Sequence, residues 1–131
     1  MKERRKRSYF VMQDADYQLY TDSVNKELVL SKMVTDELRA RANKVLDLLG
    51  LNKLKGRHPA SLSGGEKQRL SLACAYCADV DVVVLDEPTS GLDYMNIIRV
   101  AKYIQLLCEE GKMVIIITHD NILIGAIQDK Q

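Results

Sequence analysis

Neither sign of charge is in excess in this chain. Lys plus Arg number 19 and Asp plus Glu 18, a net charge of +1 over 131 residues. Bulk electrostatics therefore give no argument for nucleic acid or an anionic membrane surface, and no nucleic-acid partner is expected. No apolar run approaches the ~20 residues that span a bilayer. The N-terminus MKERRKRSYF is basic but is not followed by the apolar region of a secretory signal. Cysteines are sparse and odd in number, Cys74, Cys77 and Cys108, which suits a reducing compartment. CAYC has C-x-x-C spacing, yet no second pair and no His cluster accompany it. At helical spacing its two thiols share a face beside Leu70 and Ala73, so it reads as a packed helix face rather than a zinc or redox site. There are no internal repeats and no low-complexity segments. The length suits one domain with a modest core.

What is present is strong local punctuation. SYFVM, residues 8–12, reads as a short strand, and the basic run before it reads as a solvated connector. Residues 13–22 are polar and aromatic without a clean period and read as a loop, followed by a helix over 23–30. Thr35 caps a second helix, with Asp36 and Glu37 in its first turn, an apolar stripe of Leu38, Ala42, Val45 and Leu49, and Gly50 just past its end. Residues 51–61 are a connector with His58 at the surface. A third helix runs from Ser63 to about Ala78.

Val82 to Leu85 are apolar and β-branched and predict a strand buried on both faces, stopped by Pro88. A helix from Tyr94 to Glu110 ends at Gly111, and Met113 to Thr118 predict a second fully buried strand. Strand, helix and strand at this spacing form a βαβ unit with parallel strands.

Two stretches carry candidate chemistry. LSGGEKQR, residues 62–69, opens a helix, and two readings of it coexist. Ser63 and Glu66 fit the capping box S-x-x-E. Equally, a hydroxyl, two glycines that bare the backbone and a helix N-terminus suit a phosphate. The second stretch is the set of strand ends. Parallel strands place functional groups at their carboxyl ends, and these strands end in Asp86-Glu87 and Thr118-His119-Asp120. Two adjacent carboxylates either sit exposed in a turn or serve a hard cation. Magnesium is the natural candidate because it takes oxygen ligands and keeps its waters. Glu87 could then polarise a water. His119 alone reads equally well as an edge residue, and its place at the same sheet edge raises the functional reading.

These residues together resemble the ATP-binding subunits of ABC (ATP-binding cassette) transporters. LSGGE matches the signature motif, VVVLDE the Walker B strand with its glutamate, SGLD (Ser90 to Asp93) the D-loop, and ITHD the motif of the switch histidine. Gln13, after YFVM, matches the Q-loop glutamine. The resemblance covers Tyr9 to Asp120, and VMQDADYQLYTDSV is most like the energy-coupling-factor type. It implies an α/β fold, a partial P-loop NTPase core with parallel strands and helices plus an α-helical signature subdomain. The implied division is 1–12 for the Q-loop strand and connector, 13–80 for the Q-loop and helical subdomain, and 81–131 for part of the catalytic core.

The resemblance also implies roles. Glu87 is the base, His119 contacts the γ-phosphate, Asp86 holds Mg²⁺, and Gln13 senses metal and phosphate. Ser63, Gly64, Gly65 and Glu66 face the nucleotide of a second, head-to-tail ATPase subunit, with Asp93 in the D-loop. Glu66 stands where the family commonly has glutamine. The implied cofactors are ATP and Mg²⁺. The implied partners are that second subunit and a membrane-embedded transporter subunit docked beside the Q-loop, where Tyr17, Leu19 and Tyr20 either form the interface or pack beneath the following helices. The implied location is the cytoplasmic face of the membrane.

One family motif is missing. No G-x-x-x-x-G-K-[ST] occurs, and the one Gly-Lys pair, Gly111-Lys112, has Leu106 where the first glycine should stand. The expectation is therefore a C-terminal part of such an ATPase, inactive by itself. Two alternatives remain. One is a non-transport ABC ATPase of the chromosome-maintenance type, although only 49 residues separate Gln13 from Ser63, too few for a long coiled coil. The other is a non-enzymatic interaction module.

Overall fold

The apolar stretches at 8–11, 82–86 and 113–117 come together as one parallel sheet. The computed structural model describes residues 7–12, 23, 24, 27 and 35–128. Gln13, Tyr17, Leu19, Tyr20 and most of the helix expected over 23–30 lie outside the described residues. Strands β1 (Ser8–Val11), β2 (Val82–Asp86) and β3 (Met113–Ile117) are ordered β1-β2-β3. Register pairs Val11 with Leu85 and Asp86 with Ile117, so both neighbours flank the strand that ends in the two carboxylates.

Side chains alternate across this sheet. Val11, Val83 and Leu85 are buried, with Tyr9, Val114 and Ile116 packed against the same core. The opposite face is open: Phe10, Met12, Met113, Ile115 and Ile117 are all exposed. This corrects the expectation of two strands buried on both faces. Val82 and Val84 are only partly covered, and β3 alternates between exposed and partly buried residues. The cause is architectural. Among the described residues β3 has a single sheet neighbour, and the described helices pack with the face that carries Val83 and Leu85.

Four helices among the described residues supply most of that cover, and Val24 adds to the same core. Helix α1 (Asp36–Leu48) starts where the Thr35 hydroxyl accepts from the Leu38 N–H at 3.1 Å. It buries Leu38, Ala42, Val45 and Leu46, with Leu49 just beyond, and Gly50 turns the chain at φ +73°. Helix α2 spans Gly64–Cys77. Helix α3 (Tyr94–Glu109) is capped by Asp93, which accepts from the Asn96 N–H at 3.0 Å. Helix α4 (Asn121–Gln128) follows β3. The connector 51–61 folds into two short 3₁₀ turns, Asn52–Leu54 and Pro59–Ser61. His58 is exposed, its Nδ1 accepting from the Ala60 N–H at 3.0 Å.

Two arginines lock the helices to one another. Arg69, 7% exposed, donates to the Leu49 carbonyl at 2.7 Å and to the Gly65 carbonyl at 3.3 Å. It thereby satisfies a carbonyl just past the C-terminus of α1, where the helix leaves acceptors unpaired. Arg41 on α1 donates to Glu110 at 3.0 Å and to the Tyr76 carbonyl at 2.9 Å, with its guanidinium 4.0 Å from the centre of the Tyr76 ring. The Tyr76 hydroxyl also donates to Glu110. Burial opposes ionisation of Glu110, but the bonds from Tyr76 and Arg41 hold its carboxyl below the usual range. The cysteines are free thiols; burial pushes the Cys74 thiol well up, which makes it a poor nucleophile.

Candidate functional site

The start of α2 resolves into the capping box. The Ser63 hydroxyl accepts from the Glu66 N–H at 3.1 Å, and the Glu66 carboxylate accepts from the Ser63 N–H at 2.8 Å. That backbone bond, aided by Ser63's hydroxyl and by Arg57 and Arg69, holds the Glu66 carboxyl below its ordinary value even though burial pushes it up. Neither Gly64 nor Gly65 needs a left-handed backbone, since neither has a positive φ. Their value is steric. A Cβ on Gly64 would meet nothing within 4 Å, so its backbone lies bare. A Cβ on Gly65 would stand 3.0 Å from the Leu92 side chain of the SGLD turn. The helix N-terminus is thus open on one side and seated against that turn on the other.

The carboxyl edge of the sheet forms the second half. Asp86 lies on the alternating set with Val82 and Val84, next to the open face. Its carboxylate forms no hydrogen bond or ion pair with the described residues. Glu87 has φ +49°, a left-handed conformation that costs a non-glycine residue about 1 kcal/mol or more. Its N–H donates to the Ile117 carbonyl at 2.7 Å, which carries the β2–β3 pairing past the end of the strand. Its carboxylate lies 2.8 Å from His119 Nδ1. The His119 side chain is almost fully exposed while Glu87 is mostly covered, so the imidazole stands out from the sheet edge with one nitrogen held.

The turn after Glu87 is fixed by its own bonds. Ser90 N–H donates to the Glu87 carbonyl and Leu92 N–H to the Thr89 carbonyl. Thr89, 4% exposed, donates its hydroxyl to Asp120 Oδ2 at 2.6 Å. The other Asp120 oxygen accepts from Ile122 and Leu123 N–H at 2.9 and 3.2 Å and so caps α4. The Thr89 bond, with those backbone bonds, holds the Asp120 carboxyl below its ordinary range against a smaller effect of burial.

The sequence candidates therefore fall into two sets. Glu87 and His119 meet, with Asp86 beside Glu87 in the chain. Ser63, Gly64, Gly65 and Glu66 form the other set, and Asp93 caps α3. Among the described residues no hydrogen bond or ion pair joins the two sets. Gln13 lies outside the described residues. No group of three or more His, Cys, Asp or Glu among the described residues could hold a metal alone. A single unpaired carboxylate fits magnesium, which draws its remaining ligands from water and phosphate, and does not fit zinc or calcium. Sequence reasoning passed over Thr89 and named Asp120 at the strand end without giving it a role. The signal for Asp120 was readable, an Asp directly before the apolar helix NILIGAI, whereas nothing local marks a Thr in a Pro-Thr turn as buried.

Comparison with known proteins is consistent with this geometry. The family model described as "ABC transporter" matches residues 1–90. An ABC transporter ATP-binding protein of Treponema denticola is 48% identical over 91% of this chain and 24% of its own length. CbiO1 of Clostridium perfringens, described as part of the ABC transporter complex cbiONQ, superposes with a TM-score of 0.70 at 36% identity, over 86% of this chain and 47% of that one. The ATP-binding cassette MJ0796, solved as a dimer in a post-hydrolysis state with ADP and Pi, gives a TM-score of 0.76 at 25% identity over 94% of this chain and 55% of that one. The chain thus spans from about a quarter to about half of the proteins it resembles. No described helix is long and apolar enough to cross a membrane.

Proposed function

The chain belongs to the ABC transporter ATP-binding family, and on that footing we propose that it supplies part of the ATPase subunit that powers a transporter. The observation that carries this reading is the Glu87–His119 pair at the carboxyl edge of a parallel sheet, one residue beyond the unpaired Asp86. Magnesium, when bound with ATP, supplies charge neutralisation at the phosphates. Asp86 holds it, Glu87 accepts the proton of the attacking water, and His119, its Nδ1 held by Glu87, contacts the γ-phosphate through Nε2, which donates there only as Nε2–H, in the imidazolium. Gln13 senses metal and phosphate from the Q-loop.

Ser63, Gly64 and Gly65 serve the nucleotide of a second subunit, with Glu66 completing the cap and Asp93 fixing the turn beside it. The absence of any hydrogen bond or ion pair between the two sets among the described residues and the dimeric state of MJ0796 favour a site shared between subunits. The division into 13–80 as helical subdomain and 81–131 as part of the core belongs to this reading. So does a membrane partner docked beside the Q-loop, with the subunit at the cytoplasmic face. The likeness to cbiO1 favours the energy-coupling-factor type. By itself this sequence, which contains no G-x-x-x-x-G-K-[ST], neither hydrolyses ATP nor binds it tightly; calorimetry showing micromolar ATP binding to it would overturn that statement.

The test of the main reading is Glu87→Gln in the complete subunit assembled with its transporter. ATP binding should persist while hydrolysis falls by a factor on the order of 10² or more. Full turnover in that variant removes Glu87 from the role.

A further inference from the structure

Glu87 sits in a strained backbone conformation and His119 projects from the sheet edge, yet their side chains meet at 2.8 Å. The bond from the Glu87 N–H to the Ile117 carbonyl joins the two segments through the backbone, and a second link joins them through side chains. Each is followed closely by a member of one part-buried hydrogen bond. Thr89 stands two residues after Glu87 and Asp120 one residue after His119, and the Thr89 hydroxyl donates to Asp120 at 2.6 Å. Asp120 is anchored in turn through its second oxygen, which takes the N–H groups of Ile122 and Leu123 at the start of α4. Its own N–H donates to Thr118 Oγ1 at 3.0 Å, which bends the chain at His119. One carboxylate thus joins the turn after β2, the segment after β3 and helix α4. Thr89 is 4% exposed, so its hydroxyl has little access to water, and its bond to the partly exposed Asp120 carboxylate is a charge-assisted link between the two segments.

We propose that Thr89 and Asp120 are positioning residues whose hydrogen bond holds Glu87 and His119 in contact. Their importance for hydrolysis rests on the functional reading above; the contact itself does not. The bond also imposes a chemical state on His119. A carboxylate only accepts, so the contact at Nδ1 requires the proton on that nitrogen, and whenever the ring is neutral Nε2 is its bare nitrogen. His58 is a built-in control with the opposite state. Its Nδ1 accepts from the Ala60 N–H, so its neutral ring carries the proton on Nε2.

The experiment is long-range ¹H–¹⁵N NMR of the two imidazoles in this chain at a pH where both are neutral. The expected pattern is Nδ1–H for His119 and Nε2–H for His58. Thr89→Val, which keeps the shape and removes the donor, should shift His119 toward the Nε2–H form and leave His58 unchanged. Thr89→Ser should restore the original pattern. Should Thr89→Val fail to fold, Asp120→Ser carries the same expectation, because serine can cap α4 but is too short to reach Thr89 as well. Retention of the Nδ1–H signature in Thr89→Val, or in Asp120→Ser, overturns the proposal. Hydrolysis by the complete subunit is a separate readout. Thr89→Val should lower kcat with little change in KM, and unchanged turnover alongside a lost signature would count against Glu87 as the base and not against the positioning bond.

Discussion

At Gly64 the demands of folding and of the proposed function point in opposite directions. Its missing Cβ faces open space at the first turn of a helix. Gly64→Ala should leave stability unchanged or raise it by up to about 1 kcal/mol, because alanine is the better helix former. In the complete subunit the same methyl would stand where a phosphate must approach the backbone, so hydrolysis should fall. Chemical denaturation and ATPase assays on one variant separate the two effects, and unchanged turnover would mean that the bare backbone is merely a helix start. Ser63→Ala works the other way, removing a cap and costing about 1 kcal/mol. Glu66 adds a pH dependence. Its folded pKa lies below its unfolded value of 4.5, so its contribution is complete above that value and is lost as pH falls through the lower, folded one. Glu66→Gln preserves the box without an ionisable group. Its acid unfolding limb should therefore be flatter than that of the parent in circular dichroism at pH 7 and pH 3. The capping box was legible in four letters of sequence because every bond in it is local. Whether it also faces a ligand was not, because that depends on what stands across from it.

At the scale of elements, helix ends were the readable part. Thr35 and Ser63 cap as their spacing suggests, Asp93 caps the helix expected from Tyr94 without having been singled out as its cap, and Gly50 and Gly111 end α1 and α3 with positive φ. Gly50→Ala should destabilise by more than about 1 kcal/mol at φ +73°. A new Cβ would also stand 2.7 Å from the Arg99 guanidinium, but that is the movable end of a long side chain, so the backbone sets the cost. Differential scanning calorimetry checks this, and an unshifted midpoint would show that the turn tolerates another conformation. Strand burial was less readable. MVIII and VVVL look alike as letters, but one is an edge strand with a single neighbour and the other is central. Apolarity fixes that a strand forms, while its neighbours decide which side chains are covered. The Arg41–Tyr76–Glu110 lock was also hidden, since its members are far apart in sequence and meet only when α1, α2 and the end of α3 pack.

Across the whole molecule, one face of the sheet is cored and the other carries Phe10, Met12, Met113, Ile115 and Ile117 in the open. Such a patch should bind a hydrophobic dye in the native state. Ile115→Lys should weaken dye fluorescence with little change in the unfolding midpoint, and undiminished fluorescence would place the bound dye elsewhere. The two halves of the candidate site divide in the same large-scale way, α2 carrying Ser63 to Glu66 and the sheet edge carrying Asp86, Glu87 and His119. The central claim is that each half completes its counterpart in another subunit. Mixing complete subunits that carry Ser63→Arg with complete subunits that carry Glu87→Gln tests it most directly. Each variant alone has both of its sites disabled. In a mixed dimer built as proposed, one site combines both defects and the other combines an intact Glu87 with an intact signature. The account predicts that the mixture regains ATP hydrolysis that neither variant shows by itself; a mixture as inactive as its components would contradict it.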